Sequence, residues 1–282
     1  CMKNIFLLAV SLALCFGATM AQTVKIPLTL DQWDTQGAEV SLETYMDKES
    51  FLLKSGFISP KNVDFQDGII EAYISFPRQR GFPGFAFRLE DPANFENFYL
   101  RPHQSGNPDA TQYTPVFNGQ AGWQLYHGEG YSKAFTFNFN QWHHIKMDVH
   151  GLQAEIYIDD MQTPVIKVTE LKREPKTGKL GLISGGVPVR IAGLQYTPKQ
   201  PGKPERKPVP ISGSDGVITQ WQVSNVVNKT LFEKKQVLTK DITEKLTWAT
   251  QNSEPSGTIN LAKFIMPKDT GKTIVTKVFI ES

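Results

Sequence analysis

The stretch Gly84–Tyr131 reads GFAFRLEDPANFENFYLRPHQSGNPDATQYTPVFNGQAGWQLYHGEGY. Its reading decides the fold. In Gly84–Leu89, apolar residues alternate with others, so Phe85, Phe87 and Leu89 are expected on one face. Phe95–Arg101 is a second run rich in Phe and Tyr. This period and these β-formers predict two strands. Glu90-Asp91-Pro92-Ala93-Asn94 between them is a turn composition, giving a hairpin with a polar loop. Pro102–Pro108 has no regular pattern. Gln112-Tyr113, Pro115–Phe117 and Trp123–His127 predict further short extended pieces. So long an excursion, dense in aromatic, amide and ionisable side chains, is a place where binding groups are carried.

The same alternation continues on both sides. Upstream, Val24, Ile26 and Leu28 alternate, Trp33 follows a turn-like Asp31-Gln32, and Val40, Leu42 and Phe51–Leu53 sit in short strands. Asp67-Gly68 is a turn signal, and Ile69–Phe76 is a strand. Downstream, Trp142–Val149 pairs across His150-Gly151 with Gln153–Asp159. Val165–Val168, Gly178–Ile183 and Val189–Tyr196 complete the set, with Gly185-Gly186 as a turn rather than a phosphate loop. No segment from Val24 to Tyr196 holds a 3.6-residue period over three turns. Many short strands separated by turns predict an all-β sandwich.

In their order and spacing these pieces carry a resemblance. Asp67-Gly68-Ile69-Ile70-Glu71-Ala72, Gly84–Arg88, Asn97–Arg101, Trp142–Lys146, Glu155–Asp159 and Gly178–Leu182 resemble the laminin-G-like members of the concanavalin A-like lectin/glucanase superfamily. The resemblance covers roughly residues 24–197. It implies a jelly roll of two curved antiparallel sheets whose concave face and rim loops hold the ligand. It leaves three activities open, since some members bind sugars, some cleave them and some bind proteins. A 3-keto-disaccharide hydrolase-like branch shares the pattern, but no catalytic residue carries over from it.

The chain has 282 residues, 40% apolar and 21% charged, with a formal net charge of +2. This is an ordinary globular composition for one large or two medium domains. No long basic stripe interleaved with aromatics is present, so nucleic acid is not indicated. Met2-Lys3-Asn4 followed by the apolar run Ile5–Ala18 reads as a signal peptide cleaved after Ala21. The run is too short for a membrane span. Both cysteines, Cys1 and Cys15, fall in this segment. Lipidation at Cys15 is disfavoured by Leu14 before it. The expected location is secreted, periplasmic or cell-surface.

Pro198–Pro210 is rich in proline and basic residues and predicts a stiff linker. The expected division is a signal peptide (1–21), a sandwich (22–197), a linker (198–212) and a small β unit (213–282). The last has strand-like pieces at Val217–Ser224, Thr247–Ala249, Gly257–Leu261 and Thr273–Ile280. They resemble the opening strands of a galactose-binding-like jelly roll; at about 70 residues the unit is expected to be a small module, to pack against the first domain, or to be an incomplete jelly roll.

Candidate ligand-binding residues are Arg101, His103, Gln112, Tyr113, Asn118, Trp123, Tyr126 and His127. Sugar sites need aromatic faces for the apolar side of the ring and planar polar groups for its hydroxyls, and this set has both. The competing reading makes the aromatics core and the polar groups loop anchors. Hydrolysis needs two carboxyl groups about 5 or 6.5–9.5 Å apart. The Glu-x-Asp-x-x-Glu pattern of the superfamily's glucanases is absent. Glu155, Tyr157 and Asp159 are expected on one strand face, and Asp109 and Glu129 are the acid and base candidates in the long loop. His143 and His144 point to opposite strand faces and cannot easily share an ion. No metal site or cofactor is expected; calcium is the one candidate guest, through Glu90, Asp91, Asn94 and Asp109. Asn228-Lys229-Thr230 fits a glycosylation acceptor. The primary expectation is an exported carbohydrate-binding, lectin-like module. The alternatives are a glycoside hydrolase of the same fold and a protein-protein adhesion module. The oligomeric state has no signal in the sequence.

Overall fold

A computed structural model describes residues 22–204, 216–231, 239–265 and 271–278. Residues 1–21, expected to be a signal peptide and including Cys1 and Cys15, and most of the expected linker lie outside the described residues. Along the chain the sandwich strands are β1 (Val24–Lys25), β2 (Trp33–Asp34), β3 (Glu39–Tyr45), β4 (Lys48–Ser55), β5 (Phe57–Pro60), β6 (Gly68–Ser75), β7 (Gly84–Asp91), β8 (Asn94–Leu100), β9 (Thr111–Phe117), β10 (Gln120–Ala121), β11 (Ser132–Lys133), β12 (His143–His150), β13 (Gln153–Ile158), β14 (Ile166–Val168), β15 (Lys179–Ile183) and β16 (Val189–Pro198). One sheet has the order β14-β13-β12-β6-β16-β4-β3, with β1 also on β16. The other has the order β10-β9-β8-β7-β15-β5-β2, with β11 also on β9. Neighbours are antiparallel throughout, as in β12 against β6 and β8 against β9.

Alternation sets which side chains meet between the sheets. On β12, His143, Ile145, Met147 and Val149 are buried while the residues between them are not. They meet Phe85, Phe98 and Leu182 from the other sheet in one continuous core. Each apolar side chain of this size contributes about 1.5–3 kcal/mol on full burial.

Four details of the sandwich differ from the sequence expectation. Leu89 does not share the face of Phe85 and Phe87. The register of β7 against β8 shifts after Phe87, and Arg88 takes a positive φ of 49°. This bulge turns Arg88 inward and sends Leu89 to a second apolar cluster with Ala86, Phe95 and Val116. Buried Arg88 pairs with buried Asp67 and donates to the carbonyls of Gln66 and Gly151 at 2.8 and 2.7 Å. Asp67-Gly68 is accordingly no hairpin tip: the Asp67 carboxylate accepts from the backbone N–H of Gly151 (2.8 Å) and Gly202 (2.6 Å), so it ties the start of the linker to the sandwich. Asp159 is not in β13 with Glu155 and Tyr157. It leaves the strand at a φ of 62° and accepts from His143 Nδ1 at 2.7 Å. Trp123–Tyr126 is a turn, not a strand: the N–H groups of Leu125 and Tyr126 both donate to Gly122 O.

Beyond the linker, β17 (Gln220–Ser224), β18 (Val227–Asn228), β19 (Trp248–Asn252), β20 (Lys272–Thr273) and β21 (Thr276–Lys277) form a three-stranded sheet, β19-β17-β21, and a β18-β20 pair. Gly257–Leu261 is not a strand: Asn260 caps a 3-10 turn over Leu261–Phe264 by accepting from the Ala262 N–H at 3.0 Å. This unit is seated on the sandwich. Asn118 Nδ2 donates to Ala262 O at 2.9 Å, and Tyr126 Oη and Lys172 Nζ both donate to the Glu254 carboxylate.

Candidate functional site

Strand β8 builds the site. Its residues Asn97 and Tyr99, and Arg101 just past its end, stand two apart and project from the same side, since a strand alternates its side chains. Across the ladder Tyr99 faces Gln112 on β9 and Gly84 on β7. A side chain at Gly84 would bring its Cβ within 2.8 Å of Tyr99 Cβ, so the glycine leaves the tyrosine room to lie over β7.

Arg101 is the hub. Its guanidinium pairs with Asp109, and Nη2 donates to Tyr99 Oη (2.9 Å) and Gln112 Oε1 (2.7 Å). The Tyr99 hydroxyl donates to the same Gln112 oxygen at 2.6 Å. Gln112 Nε2 donates in turn to the carbonyls of Trp123 and Tyr126, at 2.8 and 2.6 Å. One amide thus fixes the turn that carries Trp123. The guanidinium lies 5.4 Å from the centroids of both Tyr99 and Trp123 and 5.9 Å from that of Phe82, within cation-π range. Trp123, so braced, is still 46% exposed.

Two clefts open on either side of the Arg101–Trp123 pair. The first, of about 400 Å³, is walled by Arg80, Phe82, Asn97, Tyr99 and His103 as well as that pair. Three of its residues hold buried polar atoms with no hydrogen-bond partner: Asn97 Oδ1, Arg101 Nε and His103 Nδ1. Protein interiors seldom leave such atoms unpaired. Burial, helped by the charges of Arg80 and Arg101, holds the His103 imidazole below its usual pKa. Burial pushes the Tyr99 hydroxyl up, against the hydrogen bond from Arg101. The second cleft, of about 430 Å³, is bordered by Asp109, Gln112, Gln124 and His127 beside the same pair.

Of the residues singled out in the sequence, Arg101, His103, Gln112, Trp123, His127 and Asp109 therefore come together around the two clefts. Tyr113 does not: it is 0% exposed on the inner face, where its hydroxyl donates to Glu96 and accepts from the Lys172 N–H. Tyr126 is 2% exposed and committed to Glu254. Asn118 sits at a positive φ of 51° in the β9-β10 turn and reaches the C-terminal unit. Glu129 borders a separate groove with Pro108 and Lys133 and does not face Asp109 across either cleft. For Tyr113, Tyr126 and Asn118 the reading as core aromatics and loop anchors describes their place. The oxygens considered for calcium are engaged separately: Glu90 with Arg173, Asp91 with the Ala93 N–H and Asn94, Asp109 with Arg101. Among the described residues no three His, Cys, Asp or Glu side chains are grouped to hold a metal.

Asn97, Tyr99, Arg80 and Phe82 complete the site and were not singled out in the sequence. Asn97 and Tyr99 were readable from the two-residue period that puts them with Arg101. Arg80 and Phe82 lie in a loop before β7, where no period applies. Phe82 is placed by a backbone bond from its N–H to Gly185 O at 2.9 Å.

No protein-family model matches the chain, and no curated protein matches it. Solved structures similar to it include a carbohydrate-binding module from Bacillus subtilis (17% identity, 59% of this chain and 96% of that one, TM-score 0.45). Domain 4 of an extracellular arabinanase from Geobacillus stearothermophilus is similar at 13% identity over 57% of this chain and 76% of that one, with a TM-score of 0.40. A Bacillus subtilis protein with a galectin-like fold is similar at 11% identity over 59% and 89% of the two chains, with a TM-score of 0.41.

Proposed function

We propose that the protein is an exported recognition module that binds carbohydrate in the clefts flanking Arg101 and Trp123. One observation carries this reading: a half-exposed indole, braced from behind by Arg101, stands at the mouth of a cleft holding three unpartnered polar atoms. The indole offers a flat apolar face to a sugar ring. Asn97, His103 and Arg101 offer an acceptor and donors to its hydroxyls. The arrangement suits recognition better than cleavage. Neither cleft has two acidic residues among those lining it; Asp109 stands alone in the second and is held by Arg101. A two-carboxylate mechanism needs a facing pair. It also suits a glycan better than a protein partner, since Phe82 and Trp123 share their cleft with amide and guanidinium groups rather than forming a flat apolar patch.

The test is a glycan array with the chain from Gln22 onward, with and without calcium, followed by product analysis on every ligand found. Binding without turnover is expected. Trp123→Ala is expected to lower affinity about tenfold to a hundredfold, the loss of one stacking platform. The variant should keep the wild-type unfolding midpoint, because the indole is half in water. Release of sugar fragments overturns the reading in favour of a hydrolase. An array without any hit overturns it in favour of an adhesion module.

A further inference from the structure

The cleft beside Trp123 has a charge imbalance that another open cleft of the described residues does not share. The whole chain carries a formal charge of only +2. Another open cleft, about 510 Å³ on the outer side of the β6-β12-β16 sheet, mixes Lys25, Lys48 and His144 with Glu49 and Glu71. There the charges answer one another: Glu71 lies 3.3 Å from His144 and accepts from Gln195 at 3.1 Å. In the cleft beside Trp123, Arg80, Arg101 and His103 line the walls, and none of the described residues lining it is acidic. Asp109 pairs with Arg101 from the side of the second cleft.

The two guanidinium groups are also held in place by aromatic side chains. Arg101 is 7% exposed and fixed by five aromatic, amide and carboxylate neighbours, so it has no freedom to turn to water. Its Nε and the His103 Nδ1 have no partner. Arg80 is exposed at the rim, its guanidinium 5.8 Å from the Phe82 centroid, with Phe82 set edge-on to His103 at 5.4 Å. A guanidinium on a fixed aromatic platform is a strong donor to an oxyanion, because little side-chain freedom is lost on binding.

Resting on the carbohydrate-binding reading, we infer that this cleft takes an acidic sugar residue, with the ring on Trp123 and the anionic group among Arg80, Arg101 and His103. A neutral sugar would leave the Arg80 guanidinium at the rim without a counter-charge while displacing its water. An acidic one supplies both the charge and the acceptor oxygens.

The test compares three probes by calorimetric titration of the chain from Gln22: a galacturonate trisaccharide, its full methyl ester, and a sulfated neutral trisaccharide. Esterification removes the charge and leaves the ring. The acid is expected to bind about tenfold or more tighter than the ester at roughly 50 mM salt, with the gap narrowing as salt rises. Arg80→Ala is expected to weaken the acid about fivefold and leave the ester unchanged; exposed at the rim, this side chain can be removed without unfolding the protein. Tight binding of the sulfated probe instead, with the same Arg80 dependence, supports an acidic sugar and assigns the anion as sulfate. Equal affinity for acid and ester, both lost in Trp123→Ala, overturns this inference and leaves carbohydrate binding intact. A preference for acid that survives both Arg80→Ala and Trp123→Ala places the anion elsewhere and also overturns it. Absence of binding to these probes and to every glycan on the array removes the carbohydrate reading itself, and this inference with it.

Discussion

Two carboxyl groups of the sandwich respond to pH in opposite senses. Glu96 lies inside the fold, accepting from the Tyr113 hydroxyl at 2.7 Å and the Arg173 N–H at 3.0 Å. Burial nevertheless pushes it up, against those bonds and the charges of Arg88 and Arg173. Its contribution is therefore greatest at low pH and falls as pH rises through its folded pKa. Asp159 is half exposed. Burial pushes it up too, but the His143 ring and the His144 N–H outweigh this and hold it below the usual carboxylate value. The Asp159 contribution is present above its unfolded pKa, about 3.9, and is lost as pH falls through the lower folded value. Asp159→Asn should thus lower stability at pH 7 and flatten the acid limb of the stability curve. The unfolding midpoints of variant and wild type should differ at pH 7 and converge near pH 2, read by thermal unfolding followed by circular dichroism. A constant offset at both pH values would mean that Asp159 matters for the shape of its turn and not for its charge.

The strands were legible from alternation wherever the ladder is regular, as in β12, where every second residue is buried. They were not legible where a single residue breaks the period. Arg88 is such a residue. Nothing in GFAFRLED says that the fourth side chain before the loop turns inward, because the cause is Asp67, distant in sequence. The Trp123 turn escaped for the same reason: its carbonyls are held by Gln112, an amide on another strand. Asn97 and Tyr99 carried a readable signal, but Arg80 and Phe82 owe their place to a turn on the far side of β15. There Gly185 has a φ of 59°, and a Cβ added to it would stand 2.0 Å from Phe82 O. Gly185→Ala must therefore push the Phe82 segment away as well as strain its own backbone. A loss of about 1–3 kcal/mol is expected in urea denaturation. Glycan affinity should fall with it, because Phe82 walls the cleft and Arg80 stands two residues before it. Gly186→Ala is the control: its φ is also positive at 87°, but its Cβ would meet nothing within 4 Å. It should lose stability without losing affinity. Equal affinity losses in both would show that the effect runs through general destabilisation.

The molecule as a whole joins two units of unequal build. The sandwich has two eight-stranded sheets and a continuous apolar core, whereas the described part of the C-terminal unit buries few apolar side chains, Val223 and Leu246 among them. A unit with so small a core draws stability from what it rests on. Here it rests on the segment that carries Trp123. Glu254 accepts from Tyr126, three residues beyond the indole, and from Lys172 at 2.7 Å. Lys172 is 4% exposed at its side chain and also donates to Glu170 at 2.8 Å. Burial alone would lower the lysine, yet the two carboxylates raise it, so it is charged and dependent on both. Its own N–H donates to the core hydroxyl of Tyr113. A line of polar contacts thus runs from the C-terminal unit through Glu254 to the loop on one side and to the sandwich interior on the other. Glu254→Ala cuts both branches, leaving the Tyr126 hydroxyl without its carboxylate acceptor and Lys172 with one carboxylate. Amide exchange in residues 120–130 is expected to speed up about tenfold, with exchange in β6 and β12 unchanged. Glycan affinity should fall several-fold through the loosened indole, although Glu254 lines neither cleft beside Trp123. Unchanged exchange in that loop would mean that Gln112 alone holds the Trp123 turn, and the C-terminal unit would then have no part in forming the site.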